Sequence, residues 1–106
     1  MKVITPGHSY KLFNCDDKES WQVLSFIHKD IKGDSTDRDP TILETVEDGT
    51  SNEEVLKVMI DRMEYLQSKM PCEENEDVIG LLSGALALLN HRTERRMREG
   101  TEGTMA

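Results

Sequence analysis

Residues 51–98 read SNEEVLKVMIDRMEYLQSKMPCEENEDVIGLLSGALALLNHRTERRMR, and the fold follows from how this stretch is divided. Ser51 with Glu54 three residues on is a capping-box pattern, in which the hydroxyl accepts from the N3 amide and the carboxylate reaches back. Glu53 and Glu54 place negative charge where a helix N-terminus favours it. Val55, Leu56, Met59, Met63, Leu66 and Met70 recur at helical spacing, so the pattern predicts an amphipathic helix over 51–69 that Pro71 stops. A second, longer helix is predicted over 73–98. Glu73, Glu74, Glu76 and Asp77 crowd its N-terminal end, and His91, Arg92, Arg95, Arg96 and Arg98 crowd its C-terminal end, both matching the macrodipole. Between them Ile79, Leu82, Leu86 and Leu89 form one apolar stripe, and Val78, Leu81, Ala85 and Leu88 form another. One neighbouring helix cannot cover both stripes, so a second partner is implied, either a sheet or another subunit. Gly80, Ser83, Gly84 and Ala87 are small and permit close approach of a helix. With only a short Pro-Cys connection, the two helices make an αα-hairpin.

Upstream the pattern changes to period two. Tyr10-Lys11-Leu12-Phe13 is a short alternating run, and residues 14–20 are a polar, acidic loop. Residues 21–27 put Trp21, Val23, Ser25 and Ile27 on one face and Gln22, Leu24 and Phe26 on the other, which predicts a strand with at least one buried face. Residues 30–40 hold Gly33, Asp34, Ser35, Asp37, Asp39 and Pro40, a loop by composition, and residues 41–46 alternate as a third strand ended by Asp48-Gly49. The expected architecture is α+β: a small N-terminal antiparallel β-sheet over 1–50, a two-helix hairpin over 51–99 and a glycine-punctuated tail over 100–106, assembled as a homo-oligomer.

Length and charge narrow the function classes. A chain of 106 residues buries only a thin core, which favours association. Thirteen Lys and Arg against 21 Asp and Glu give a net charge of −8, which argues against a general nucleic-acid binder. The longest uncharged apolar-rich run, residues 78–90, is too short to span a bilayer, so no membrane partner is expected. The first six residues lack the charged and apolar regions of a signal peptide, and the two cysteines, Cys15 and Cys72, read as reduced thiols of a cytosolic protein.

His8, His28 and His91 are widely separated and neither cysteine belongs to a CxxC pair, so no metal-ligand spacing exists and no metal or cofactor is expected. Sequence alone leaves open a Cys72–His91 nucleophile pair, although Cys72 reads as a packing residue at the start of the second helix. Asp34, Asp37 and Asp39 lack the calcium-loop order and read as a solvated loop. No GxGxxG, GKS/T or GxSxG pattern is present. The strongest signal is Arg92, Arg95, Arg96 and Arg98, four positive charges within seven residues. Arg92 and Arg96 lie one helical turn apart and project together, a spacing suited to bidentate grip on phosphate or carboxylate. The plain alternative is dipole compensation with ion pairs to acidic neighbours. Met59, Met63 and Met70 read as core, with Met70 beside Pro71 the one best placed to line a pocket.

Several of these residues together resemble a family. Asp48-Gly49-Thr50-Ser51-Asn52-Glu53-Glu54-Val55-Leu56, then Ile60-Asp61-Arg62, Met70-Pro71-Cys72-Glu73-Glu74-Asn75, Ala85-Leu86, and Arg92-Thr93 through Arg96 to Gly100-Thr101-Glu102-Gly103-Thr104 are similar to the helical-hairpin module of phage anti-defence nucleotide sponges. The nearest pattern is that of the Thoeris anti-defence family, which sequesters cyclic ADP-ribose-type signals; an anti-CBASS sponge family shares the hairpin. The resemblance spans residues 48–104, and the N-terminal strands match only as the small sheet such members carry. Two positions depart from it. Met70 stands where the family usually has an aromatic that stacks on adenine, and Glu99 where it often has Arg.

The resemblance implies a non-enzymatic protein with no catalytic residues. It would bind cyclic ADP-ribose isomers, with cyclic di- or trinucleotides at a second site in some members, as a dimer or hexamer in the host bacterial cytoplasm. The residues expected at the ligand are Met70, Asn75, Arg92, Arg95 and Arg96. The arginines would take the pyrophosphate, the N–H groups at residues 72–75 would assist, and Asn75 would read a base or ribose edge. Two rival expectations remain: a sponge for CBASS cyclic di- or trinucleotides alone, and a small acidic phage protein that binds a host protein through the hairpin. A nucleotide-signal hydrolase is a third, and it would return a changed ligand.

Overall fold

The computed structural model describes residues 1–31 and 43–99. The Asp34, Asp37 and Asp39 loop, the first two residues of the 41–46 strand reading, and the 100–106 tail with its Gly100-to-Thr104 motif lie outside the described residues. The chain forms two compact units, one within residues 1–51 and one beginning at Asn52.

The named strands of the first unit all pair antiparallel, with an isolated parallel bridge between Phe26 and Thr50. Strands β1 (Lys2–Thr5), β2 (Ser9–Phe13) and β3 (Trp21–Ser25) form a meander in the order β1-β2-β3. The β1–β2 turn runs through Pro6 and Gly7. His8 N–H donates to the Thr5 carbonyl at 2.9 Å, and Gly7 has φ +78°, the pattern of a type II turn, with Pro supplying the first central φ and Gly the positive one. The β2–β3 connection is closed by its own side chains. Asn14 Nδ2 donates to Ser20 Oγ at 2.7 Å, Ser20 Oγ to the Asp17 carbonyl, and Gln22 Nε2 to Asn14 Oδ1. That is the polar loop expected over 14–20.

Strands β4 (His28–Ile31) and β5 (Leu43–Glu47) pair as a separate two-stranded ribbon. The single strand expected over 21–27 therefore ends at Ser25. Phe26 N–H turns to the His8 carbonyl at 2.7 Å and Ile27 N–H to the Thr50 carbonyl at 2.9 Å, while Thr50 N–H donates to the Ser25 carbonyl. These bonds knit the end of β3 to the chain at Gly49-Thr50. The half-buried side of β3 is the Leu24 side, with Phe26 beyond it edge-on to Tyr10 at 5.9 Å between ring centroids. Trp21 on the other side is 50% exposed, one face covered by Lys11 Nζ at 4.0 Å.

The second unit is the hairpin, α1 (Asn52–Lys69) and α2 (Glu73–Arg98). Their facing sides alternate threes and fours. On α1 the half-buried line is Glu53, Leu56, Ile60, Met63 and Gln67, with Val55 and Leu66 of the expected stripe half-buried beside it; on α2 it is Asn75, Ile79, Leu82, Leu86 and Leu89, with Ala85 beside it. A repeat averaging 3.5 residues is the seam of a pair of helices packed nearly antiparallel. Two methionines read as core do not belong to this seam. Met59 is exposed, and Met70, beyond the end of α1, is 78% exposed. Ile60 occupies the seam position that the six-residue stripe omitted. Cys72, expected to pack, is exposed; its N–H donates to Gln67 Oε1 at 3.0 Å across the turn. On the outside of α1, Lys57 Nζ meets Glu54 Oε1 at 3.1 Å, with the two side chains 58% and 63% exposed. A double-mutant cycle on this pair, read by thermal melts, should give a coupling of no more than about 0.5 kcal/mol.

Candidate functional site

The five residues expected at a ligand fall into two groups at opposite ends of the hairpin. Met70 and Asn75 flank the turn; Arg92, Arg95 and Arg96 lie in the last two turns of α2. Seventeen residues of helix separate Asn75 from Arg92, about 26 Å along the axis. One hairpin does not bring the two groups together. The same arithmetic places Cys72 about 28 Å from His91, so that pair does not meet within one chain.

The arginine end has a simple structural origin. The helices start from a common turn, but α2 has 26 residues and α1 has 18. The last turns of α2 therefore run past the start of α1 by about 12 Å. Arg92 and Arg95 are exposed there, and Arg96, which continues the line of the seam, is half-buried with its Nε shielded from solvent. Arg95, Arg96 and Arg98 also stand in the last turn, where the helix dipole favours cations.

At the other end the first turn of α2 carries Glu73, Glu74 and Glu76. Its N-terminal amides face a cluster of carboxylates, which offsets the attraction of the dipole for an anion. An anion would meet less repulsion at the guanidinium groups of the arginine end than at the amides near residues 72–75.

Two further features went unread in the sequence. A shallow hollow of about 550 Å³ runs along the outer face of α1, lined by Glu54, Lys57, Val58, Asp61, Arg62 and Tyr65. Its signal was present: two large side chains, Val58 and Tyr65, stand exposed among charges at one-face spacing. In the first unit the His8 and His28 rings stack at 3.7 Å, 13° from parallel, and His8 Nδ1 is enclosed without a hydrogen-bond partner. Parallel stacked rings aim their nitrogen lone pairs alongside one another, so they do not converge on one ion. Among the described residues, no three His, Cys, Asp or Glu side chains are grouped to hold a metal ion. No helix among them is long and apolar enough to cross a membrane.

Comparison with known proteins gives these residues a context. No family model matches the chain. Over 57 residues it is 42% identical to a protein named Thoeris anti-defense 1 from Bacillus phage SBSphiJ7, covering 53% of this chain. The chain is thus similar, over about half its length, to a Thoeris anti-defence protein. It spans 40% of the length of that relative. The arginine end of α2 is basic and the turn end acidic, so the two ends of the hairpin are opposite in charge.

Proposed function

We propose that this chain is a phage anti-defence protein that acts inside the infected bacterium as a nucleotide sponge. It captures a cyclic ADP-ribose-type signal and withholds it from the host effector without cleaving it. The observation that carries the reading is the match to Thoeris anti-defense 1 in a chain with Arg92 and Arg96 one turn apart at the end of α2. A pyrophosphate presents two adjacent anionic groups, and two guanidinium forks on one helix face can each take one. Arg95 lies beside them. Asn75 and Met70, about 26 Å away along one α2, reach the same ligand only when a different copy of the chain contributes them. Sequestration also requires tight binding, because the free signal must stay below the effector's threshold.

The test is recovery of the ligand. The protein is incubated with a panel of cyclic ADP-ribose isomers and cyclic di- and trinucleotides, separated from free ligand, and heat-denatured. A cyclic ADP-ribose isomer should be retained, released unchanged, and able to reactivate the effector. Release of a cleaved product overturns sequestration. Retention of cyclic di- or trinucleotides alone overturns the ligand class, and retention of none returns the hairpin to a protein-binding role.

A further inference from the structure

Asp48 is the one aspartate in the chain that is followed by glycine. Its side chain touches the next amide: Gly49 N–H donates to Asp48 Oδ1 at 2.9 Å. Among the described residues no carbonyl accepts that N–H. The Gly49 nitrogen therefore rests beside the carboxyl of the residue before it, and glycine has no side chain to shield the approach. Both residues are exposed, so water reaches the pair.

The contact is held from both sides. Glu47, just before it, is paired with His28 in the β4–β5 ribbon. Thr50, just after it, donates its N–H to the Ser25 carbonyl at 2.9 Å and accepts from Ile27 N–H at 2.9 Å. One side of Gly49 lies against backbone, with the Phe26 carbonyl carbon 2.6 Å from where a Cβ would sit. The Asp48–Gly49 link is thus a short bridge between fixed points. Its nitrogen and carboxyl are kept together, whereas in a free chain they meet only in passing. Holding two reacting groups in place removes the entropy cost of bringing them together.

We infer that Asp48 is a site of spontaneous main-chain modification, at which aspartate becomes isoaspartate. The Gly49 nitrogen forms a bond to Asp48 Cγ. With the carboxyl in its protonated form, its hydroxyl leaves with the amide proton as one water, and a succinimide ring closes. Water then adds to the main-chain carbonyl carbon of Asp48, whose bond to the Gly49 nitrogen breaks. The main chain now runs through Cβ and Cγ, one atom longer, and the former main-chain carbonyl becomes the side-chain carboxylate. Addition at Cγ instead restores aspartate. Water is the only other reactant, and the net composition is unchanged. A lengthened bridge no longer fits between its two ends, so the Thr50 bonds to Ser25 and Ile27 are released. The junction at the end of β3 loosens as the molecule ages. The inference stands on the first unit alone and does not rest on the nucleotide reading.

Peptide mapping of the aged full chain tests it. The wild type is held at neutral pH beside a free peptide of residues 44–53, and both are sampled over time. Isoaspartyl methyltransferase labelling should mark Asp48, preceded by a species lighter by one water. The label should form in the folded chain at least as fast as in the peptide. Asp48→Glu, whose ring would need one more atom, should take up no label at that position. In hydrogen exchange the isomerised fraction should lose protection at Ile27 and Thr50 while α1 and α2 keep theirs. A folded chain that converts more slowly than the peptide overturns the proposal, because the fold then protects the bond instead of preparing it. So does label that persists in Asp48→Glu or that spreads equally over the other aspartates. Full protection in the isomerised fraction overturns the loosening of the junction.

Discussion

Replacing Arg92 or Arg96 by Ala is expected to weaken nucleotide capture by about 2–5 kcal/mol, at least roughly thirtyfold in Kd, as when one partner of a desolvated charge pair is removed. The two side chains sit one turn apart on the end of α2 that outruns α1, so each fork has access to a separate anionic group. Lys should substitute poorly at either position, because an ammonium has no planar pair of donors. If these arginines only balance the helix dipole, the same changes cost a few tenths of a kcal/mol of stability and binding is intact. Calorimetric titration of the Ala and Lys variants, with thermal melts to confirm folding, separates the two. Arg96 is half-buried, so its Ala variant should also melt slightly earlier. Unchanged affinity in both folded Ala variants would remove the arginines from the site.

The other large effect is expected at Gly49. A Cβ there would lie 2.6 Å from the Phe26 carbonyl carbon, 2.7 Å from the Ser25 carbonyl oxygen and 2.8 Å from the Ile27 nitrogen. All three are backbone atoms, and the chain at this point is held by the Thr50–Ser25 and Ile27–Thr50 hydrogen bonds, so no flexible side chain can swing aside. Gly49→Ala should destabilise the first unit by about 3 kcal/mol, the upper part of the range for overpacking. Amide hydrogen exchange should show protection lost at Phe26, Ile27 and Thr50 while the amides of α1 and α2 keep theirs. Uniform loss across both units, or none, would contradict this account.

The hairpin was legible because its information is local. Glutamates at each helix start, threes-and-fours spacing and Pro71 between the helices are read within a few residues, and both helices lie where the pattern put them. The small strands were less legible for physical reasons. Lys2–Thr5 is four residues with every side chain exposed, so no alternation marks it. The run from Trp21 to Lys29 carries no Gly, Pro, Asn or Asp, yet the chain breaks its pairing at Phe26-Ile27, because the partners that redirect it, His8 and Thr50, are distant in sequence. Gly49 belongs to the same class: as part of Asp-Gly it reads as a strand end, while its actual constraint is a backbone crossing more than twenty residues away. At the candidate site the residue types were readable and their distribution was not. Helix length alone separates Asn75 from Arg92, and composition carries no sign of which copy faces which. The second apolar stripe was visible, but only the structure distinguished Leu81 and Leu88, left in water, from Leu82 and Leu86, turned to α1.

No side chain among the described residues is wholly withdrawn from water. Such a chain holds little folding free energy in reserve, and whatever covers its outer faces supplies a large share of the total. Stability then becomes a function of abundance. If folding is completed by a second copy, each tenfold dilution subtracts about 1.4 kcal/mol from the pair, and the melting temperature falls with it. Any ligand that binds only the folded form would act in the same direction. Newly made molecules at low copy number would open often and be exposed to proteolysis. As copies accumulate or fill with ligand, lifetime would lengthen, so turnover itself would report how much signal the cell contains.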